Sequence, residues 1–220
     1  MRMTRVWPTP DDYDSAAGDA LAALSSSGVE ARCVGSYAAR THQPPYSDLD
    51  ILAIATQGEG AKVRDVVVEV ARGLRETVCV TVDPFDRQAI VYSILDNGLQ
   101  IDWFVAERDV RGTERPVWRG DQQTPHDAPC RAWSPLLYAI GVLKRDRTPA
   151  GTVEVARELG EHLVWLSLHG IDVSSLPALV PAADDDLLIW IHAIAGVLPA
   201  HSRLAAIVAR RLEESPADTR

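Results

Sequence analysis

VGSYAARTHQPPYSDLDIL spans residues 34–52 and holds two short chemical features, Gly35-Ser36 and Asp48-Leu49-Asp50-Ile51, separated by eleven residues. In a strand, successive side chains point to opposite faces. Asp48 and Asp50 then share one face, and Leu49 and Ile51 share the other, which can enter a core. Two adjacent carboxylates repel, and keeping both ionised is costly without a cation. Hard oxygen ligands suit Mg²⁺, which takes one or two carboxylates together with phosphate oxygens and water. Gly35 lets the backbone come close to a phosphate. Ser36 is placed to cap a following helix, whose first N–H groups form an anion site.

Upstream, residues 11–27 open with acids that favour a helix dipole and continue Ala/Leu-rich, predicting a helix that Gly28 ends. Residues 29–35 predict a strand and 47–55 a second. Residues 61–76 carry Val63, Val66, Val67, Val70, Ala71 and Leu74 at helical spacing. Strands are predicted at 77–83, 88–95 and 99–106, the last two flanking Asp96-Asn97-Gly98 as a hairpin turn. Within the last of these, Asp102 stands among Ile101, Trp103, Phe104 and Val105. An unpaired carboxylate is expensive there, so its placement asks for a compensating cation. Asp83 and Asp86 are alternative acids near strand ends.

Residues 107–131 are polar and predict a linker or active-site loop. Helices are predicted near 133–145, 150–169, 184–198 and 200–214, with Pro135, Pro149, Pro181 and Pro199 at starts or connections. The tail 215–220 is predicted to fray. The fold class is α+β: a small mixed-sheet core with flanking helices over 1–115, then an all-helical C-terminal domain over 116–220.

The chain has 220 residues, enough for one large domain or two small ones with a real core. Its net charge is −9, from 31 acidic and 22 basic residues. Such a surface repels phosphate backbones and disfavours a long nucleic-acid partner; small substrates, cationic ones above all, fit better. Cys33, Cys79 and Cys130 are widely spaced, with no CxxC and no zinc spacing. Residues 1–12 carry no apolar h-region, so no signal peptide is expected, and the apolar run from Leu187 to Ser202 is too short and too polar to span a bilayer. The expected compartment is the cytoplasm, with no membrane partner.

The pattern hydrophobic-Gly-Ser, a loop, Asp-hydrophobic-Asp-hydrophobic and a later strand Asp resembles the DNA polymerase beta-type nucleotidyltransferase superfamily. The specific resemblance covers residues 29–105. The helical half resembles the C-terminal bundle of small antibiotic nucleotidyltransferases of the aminoglycoside and lincosamide type, on helix content alone. The resemblance implies an enzyme in which Asp48, Asp50 and Asp102 bind two Mg²⁺ ions. It also implies that Gly35 and Ser36 hold the β/γ-phosphates of an NTP, ATP by preference. An acceptor hydroxyl then attacks the α-phosphorus and pyrophosphate leaves, an adenylyltransferase reaction on an antibiotic or a secondary metabolite. Many relatives of this kind build the acceptor pocket across a homodimer, an arrangement the sequence leaves open. The alternatives are a protein- or tRNA-modifying minimal nucleotidyltransferase of toxin–antitoxin type, an oligonucleotide cyclase, which resembles the same motif but is generally longer, and a nucleotide-binding relative without turnover.

Other residues weigh less. Arg40 and Lys144 are candidate phosphate contacts, though Lys144 equally suits a helix-terminal cation completing the dipole. Glu154, Glu158 and Glu161 share one helical face and are weak candidates for a general base, against a solvated acidic face. Asp184-Asp185-Asp186 reads as an acidic helix start. His42 lies in the motif loop and reads as exposed. Trp103, Trp133, Trp165 and Trp190 read as core, while Trp118 is placed to stack on a base or sugar.

Overall fold

The computed structural model describes residues 7–82, 91–116, 128–145, 148–176 and 184–214. Trp118, Asp83, Asp86, Pro181 and the tail 215–220 lie outside them. The fold is α+β, with a six-stranded mixed sheet and seven helices among the described residues. It divides into two compact units. One runs from Pro8 through the last strand; the other holds Trp7 and the chain from Ala128 onward.

The first unit begins with α1 (Pro10–Ser26), whose Pro stands in the first turn and whose Thr9 and Asp12 form a capping box. β1 (Glu30–Cys33) follows, then the single-turn α2 (Gly35–Ala38), β2 (Leu49–Thr56), α3 (Gly60–Gly73), β3 (Thr77–Val82), β4 (Val91–Leu95), β5 (Gln100–Arg108) and β6 (Glu114–Pro116). The sheet order is β1-β2-β5-β4-β3, with β6 pairing β5. β2 and β5 run parallel, and the other pairs are antiparallel.

Alternation along the two central strands sorts the faces. Leu49, Ile51, Ala53 and Ala55 of β2 join Ile101, Trp103 and Val105 of β5 in the core. Tyr13, Ala17, Ala20 and Leu24 of α1 and Val63, Val67 and Ala71 of α3 cover that face. The Trp103 indole donates to Ser93 Oγ at 2.9 Å, so the largest core side chain leaves no buried donor unmet. The opposite face carries Asp50 and Asp102. At the far end of that face, Arg32 and Arg108 bridge Glu30 and Glu114, tying β1, β5 and β6 together.

The second unit comprises α4 (Ala128–Arg145), α5 (Pro149–Leu168), α6 (Asp184–Val197) and α7 (Ser202–Glu213). Its core holds Leu136, Ile140, Leu143, Leu159, Leu166, Ile191 and Ile194. Trp133, Trp165 and Trp190 are buried there as expected, and the Trp133 indole donates to the Pro199 carbonyl at 2.9 Å. Trp7 is buried in this unit under the Arg211 guanidinium, 4.5 Å from its ring centroid. No helix among the described residues is long and apolar enough to cross a membrane.

Three local expectations change. β6 lies inside the segment expected to be a loop, because pairing with β5 rather than intrinsic propensity makes it a strand. Pro135 lies within α4, which begins earlier than predicted and runs through a residue with no N–H to give the helix. Ser36 is not a cap: Val34 holds the cap position, and Ser36 sits in the first turn of α2.

Candidate functional site

Strand register brings the acids together. Asp50 pairs with Asp102 across β2 and β5, so two distant carboxylates become neighbours on one face of the sheet. On the other side, β1 pairs antiparallel with β2 as far as Cys33 opposite Ile51. The Val34 amide then donates to the Asp50 carbonyl at 2.9 Å, delivering the Gly-Ser turn to the same point.

Gly35 is there for two reasons. Its φ is +61°, a conformation that L side chains rarely adopt, and a Cβ built on it would lie 1.9 Å from Asp50 Oδ2. The backbone of the turn is therefore pressed against a carboxylate.

The two carboxylates differ in their surroundings. Asp50 is half-buried, and desolvation alone pushes its carboxyl above the ordinary carboxylate value. Asp102 accepts a hydrogen bond from Gln100 Nε2 at 2.8 Å. Asp48 lies one residue ahead of β2, in the loop. Among the described residues, no three His, Cys, Asp or Glu side chains are gathered tightly enough to enclose a cation. The backbone aligns Asp50 and Asp102, and three ionised carboxylates draw together only around positive charge.

The remaining candidate residues have the following surroundings. Arg40, with φ +57°, is exposed just past α2. Lys144 Nζ donates to the Leu212 and Glu214 carbonyls at 3.2 and 2.7 Å, capping the end of α7 within the helical unit. Glu154 accepts from the Tyr138 hydroxyl, and Glu158 and Glu161 pair with Arg157. Asp184 opens α6, the place expected of an acidic helix start. A cavity of about 740 Å³, lined by Gln57, Glu107, Asp109, Val110, Arg111, Arg115 and Pro116, lies beyond the other ends of β2 and β5.

Sequence reasoning missed Gln100 and Tyr92. Gln100 sits two residues before Asp102 and so shares its face, a signal present in the alternation itself. Tyr92 pairs with Asp102 across the β4–β5 hairpin. Counting outward from Asn97 in the turn would have found it.

No protein-family model and no curated protein matches the sequence. Among solved structures, the chain is similar to a STING-associated CdnE c-di-GMP synthase from Capnocytophaga granulosa. Identity is 12%, covering 95% of this chain and 81% of that one, with a TM-score of 0.35. It is also similar to the CdnE cyclic dinucleotide synthase of Elizabethkingia meningoseptica, with 15% identity, 94% and 79% coverage and a TM-score of 0.33. A third is terminal uridylyl transferase 4 from Trypanosoma brucei, with 16% identity, 95% and 62% coverage and a TM-score of 0.38. Likeness at this level leaves the chemistry to be read from the chain's own residues.

Proposed function

We propose that this chain is a Mg²⁺-dependent nucleotidyltransferase that moves a nucleoside monophosphate, AMP by preference, from an NTP to a hydroxyl of a small molecule. The observation that carries this reading is the in-register pairing of Asp50 with Asp102 beside the Gly35 turn. Asp48, Asp50 and Asp102 would hold the metal. An all-carboxylate donor set fits Mg²⁺, and Asp50, raised by burial alone, is a group that a cation would relieve. When bound, the metal supplies charge stabilisation to the attacking and leaving oxygens of an in-line displacement.

The chain's own residues do the positioning. The Gly35-Ser36 turn offers a backbone surface to the terminal phosphates, and exposed Arg40 adds positive charge beside it. The acceptor oxygen forms a bond to the α-phosphorus, the α–β bridging bond breaks, and pyrophosphate leaves with its electron pair. The acceptor proton passes to solvent or to a base. A net charge of −9 favours a small acceptor, such as an antibiotic or a secondary metabolite, over a long nucleic acid.

The test supplies each of the four NTPs, α-labelled, with Mg²⁺ and a panel of hydroxylated acceptors that includes aminoglycosides and lincosamides. The expected product is an acceptor heavier by one nucleoside monophosphate, absent with Asp50→Asn. Label on a protein or tRNA instead would move the reading to a macromolecular target. NTP binding with no transfer to any acceptor would mark a binding protein without turnover.

A further inference from the structure

Asp48 stands one residue outside the strand ladder that fixes Asp50 and Asp102, so the loop that leads to it shares in setting its position. The residue before it, Ser47, is tied three times. The Tyr13 hydroxyl donates to the Ser47 carbonyl at 2.5 Å, and Ser47 Oγ accepts from the Gln43 amide at 2.8 Å. The Gln43 carbonyl accepts the Tyr46 and Ser47 amides at 2.8 and 3.2 Å, closing a turn on Ser47. At the other end of the loop, the Thr41 and His42 amides both donate to the Ser36 carbonyl, at 2.9 and 3.1 Å.

The His42 ring, expected to be exposed, is partly buried against two tyrosine rings. Its centroid is 5.4 Å from that of Tyr13 and 5.0 Å from that of Tyr37. Tyr37 is itself tied to α1, its hydroxyl donating to Asp14 Oδ1 at 2.6 Å. Tyr13 is wholly buried in the core, yet its hydroxyl reaches out to a loop carbonyl. His42 Nδ1 is buried with no hydrogen-bond partner among the described residues, a cost that the ring contacts must offset.

We infer that Tyr13 and His42 are positioning residues: together they transmit the rigidity of α1 to the Ser36 and Asp48 ends of the motif loop. The inference rests on the metal site proposed above. A carboxylate on a free loop pays ordering entropy each time it binds an ion, and a loop already held pays less.

The test follows Mn²⁺ binding by the electron paramagnetic resonance of the free ion, with no nucleotide present. Wild type is compared with Tyr13→Phe, His42→Ala, His42→Phe and Asp48→Asn, and each melting temperature is recorded. The expected result is saturable binding in wild type, loss in Asp48→Asn, and weakening of about three- to tenfold in Tyr13→Phe and His42→Ala. His42→Phe, which keeps a ring in the gap, should restore binding. A merely structural role lowers the melting temperature and leaves the affinity of folded protein unmoved. Should Tyr13→Phe fail to fold, the two His42 variants decide. If Tyr13→Phe and His42→Ala bind like wild type while Asp48→Asn does not, the inference is overturned and the metal reading stands. If Asp48→Asn binds like wild type, or wild type does not bind, the metal reading falls and takes the inference with it.

Discussion

Asp50 and Asp102 are register partners on the parallel pair β2–β5, and the amide of Val34 bonds the carbonyl of Asp50. Parallel pairing has a consequence that antiparallel pairing lacks: both strands enter the site from the same end. Two acids near the starts of distant strands therefore share one end of the sheet with the Gly-Ser turn.

Asp50→Asn and Asp102→Asn should each lower transfer by at least about a hundredfold, the scale on which losing one electrostatic group acts at such sites. Stability should move the other way for Asp50. Burial alone raises its carboxyl, so the amide removes a half-buried charge that the fold disfavours. Melting without metal should show Asp50→Asn at or above wild type. Added Mg²⁺ should raise the wild-type midpoint and leave the variant unmoved. A marked drop in stability for Asp50→Asn would mean that the carboxylate is structural.

Gly35→Ala should fail for two separable reasons. A side chain at positive φ costs about 1–2 kcal/mol, and the new Cβ would fall 1.9 Å from Asp50 Oδ2. Gly28→Ala isolates the first cost, because Gly28 has φ +73° and open space around its Cβ position. Urea denaturation of the two variants should show Gly35→Ala to be the more destabilised. Equal losses would mean that Asp50 swings aside freely and that the turn is not pressed against it.

Much of this site is written in local sequence, because strand alternation is local. Asp50 beside Leu49 and Ile51, and Asp102 beside Ile101 and Trp103, each announce an acid on one face and core on the other. The sheet order β1-β2-β5-β4-β3 is not local, and no periodicity encodes which strand β2 meets. The contact of Tyr13 with Ser47 joins residues 34 apart and was invisible for that reason. β6, with the sequence Glu114-Arg115-Pro116, lacks any strand signal and exists because β5 offers it an edge. The burial of His162 likewise depends on how helices meet, which a helical period does not disclose.

Lys144 is a residue for which two roles predict different numbers. In the structure its ammonium caps the Leu212 and Glu214 carbonyls. Lys144→Met should then cost about 1 kcal/mol in stability, the scale of a cation at a helix C-terminus. Transfer kinetics at a temperature where the variant is folded should show an unchanged KM for the NTP. A severalfold rise in KM with stability intact would assign Lys144 to the triphosphate instead.

His162 gives the helical unit a pH dependence of known sign. Burial lowers its pKa to about 4, with the charge of Arg131 acting in the same direction and the Ala132 hydrogen bond opposing. The ring is only 3% exposed, so little solvent screens the effect. The unfolded chain takes a proton near the ordinary value of 6.5, while the folded chain holds the ring neutral until about 4. Between those values the unfolded state binds more protons, so stability falls as pH falls from 6.5 and the loss is complete below 4. The separation corresponds to about 3 kcal/mol. Urea midpoints of wild type and His162→Gln at pH 7.5 and 4.5 isolate this group from the carboxylates, which titrate in both proteins. Wild type should lose more stability than His162→Gln over that interval. Parallel losses would mean that the ring is protonated in the folded state and that the bundle opens to admit the charge.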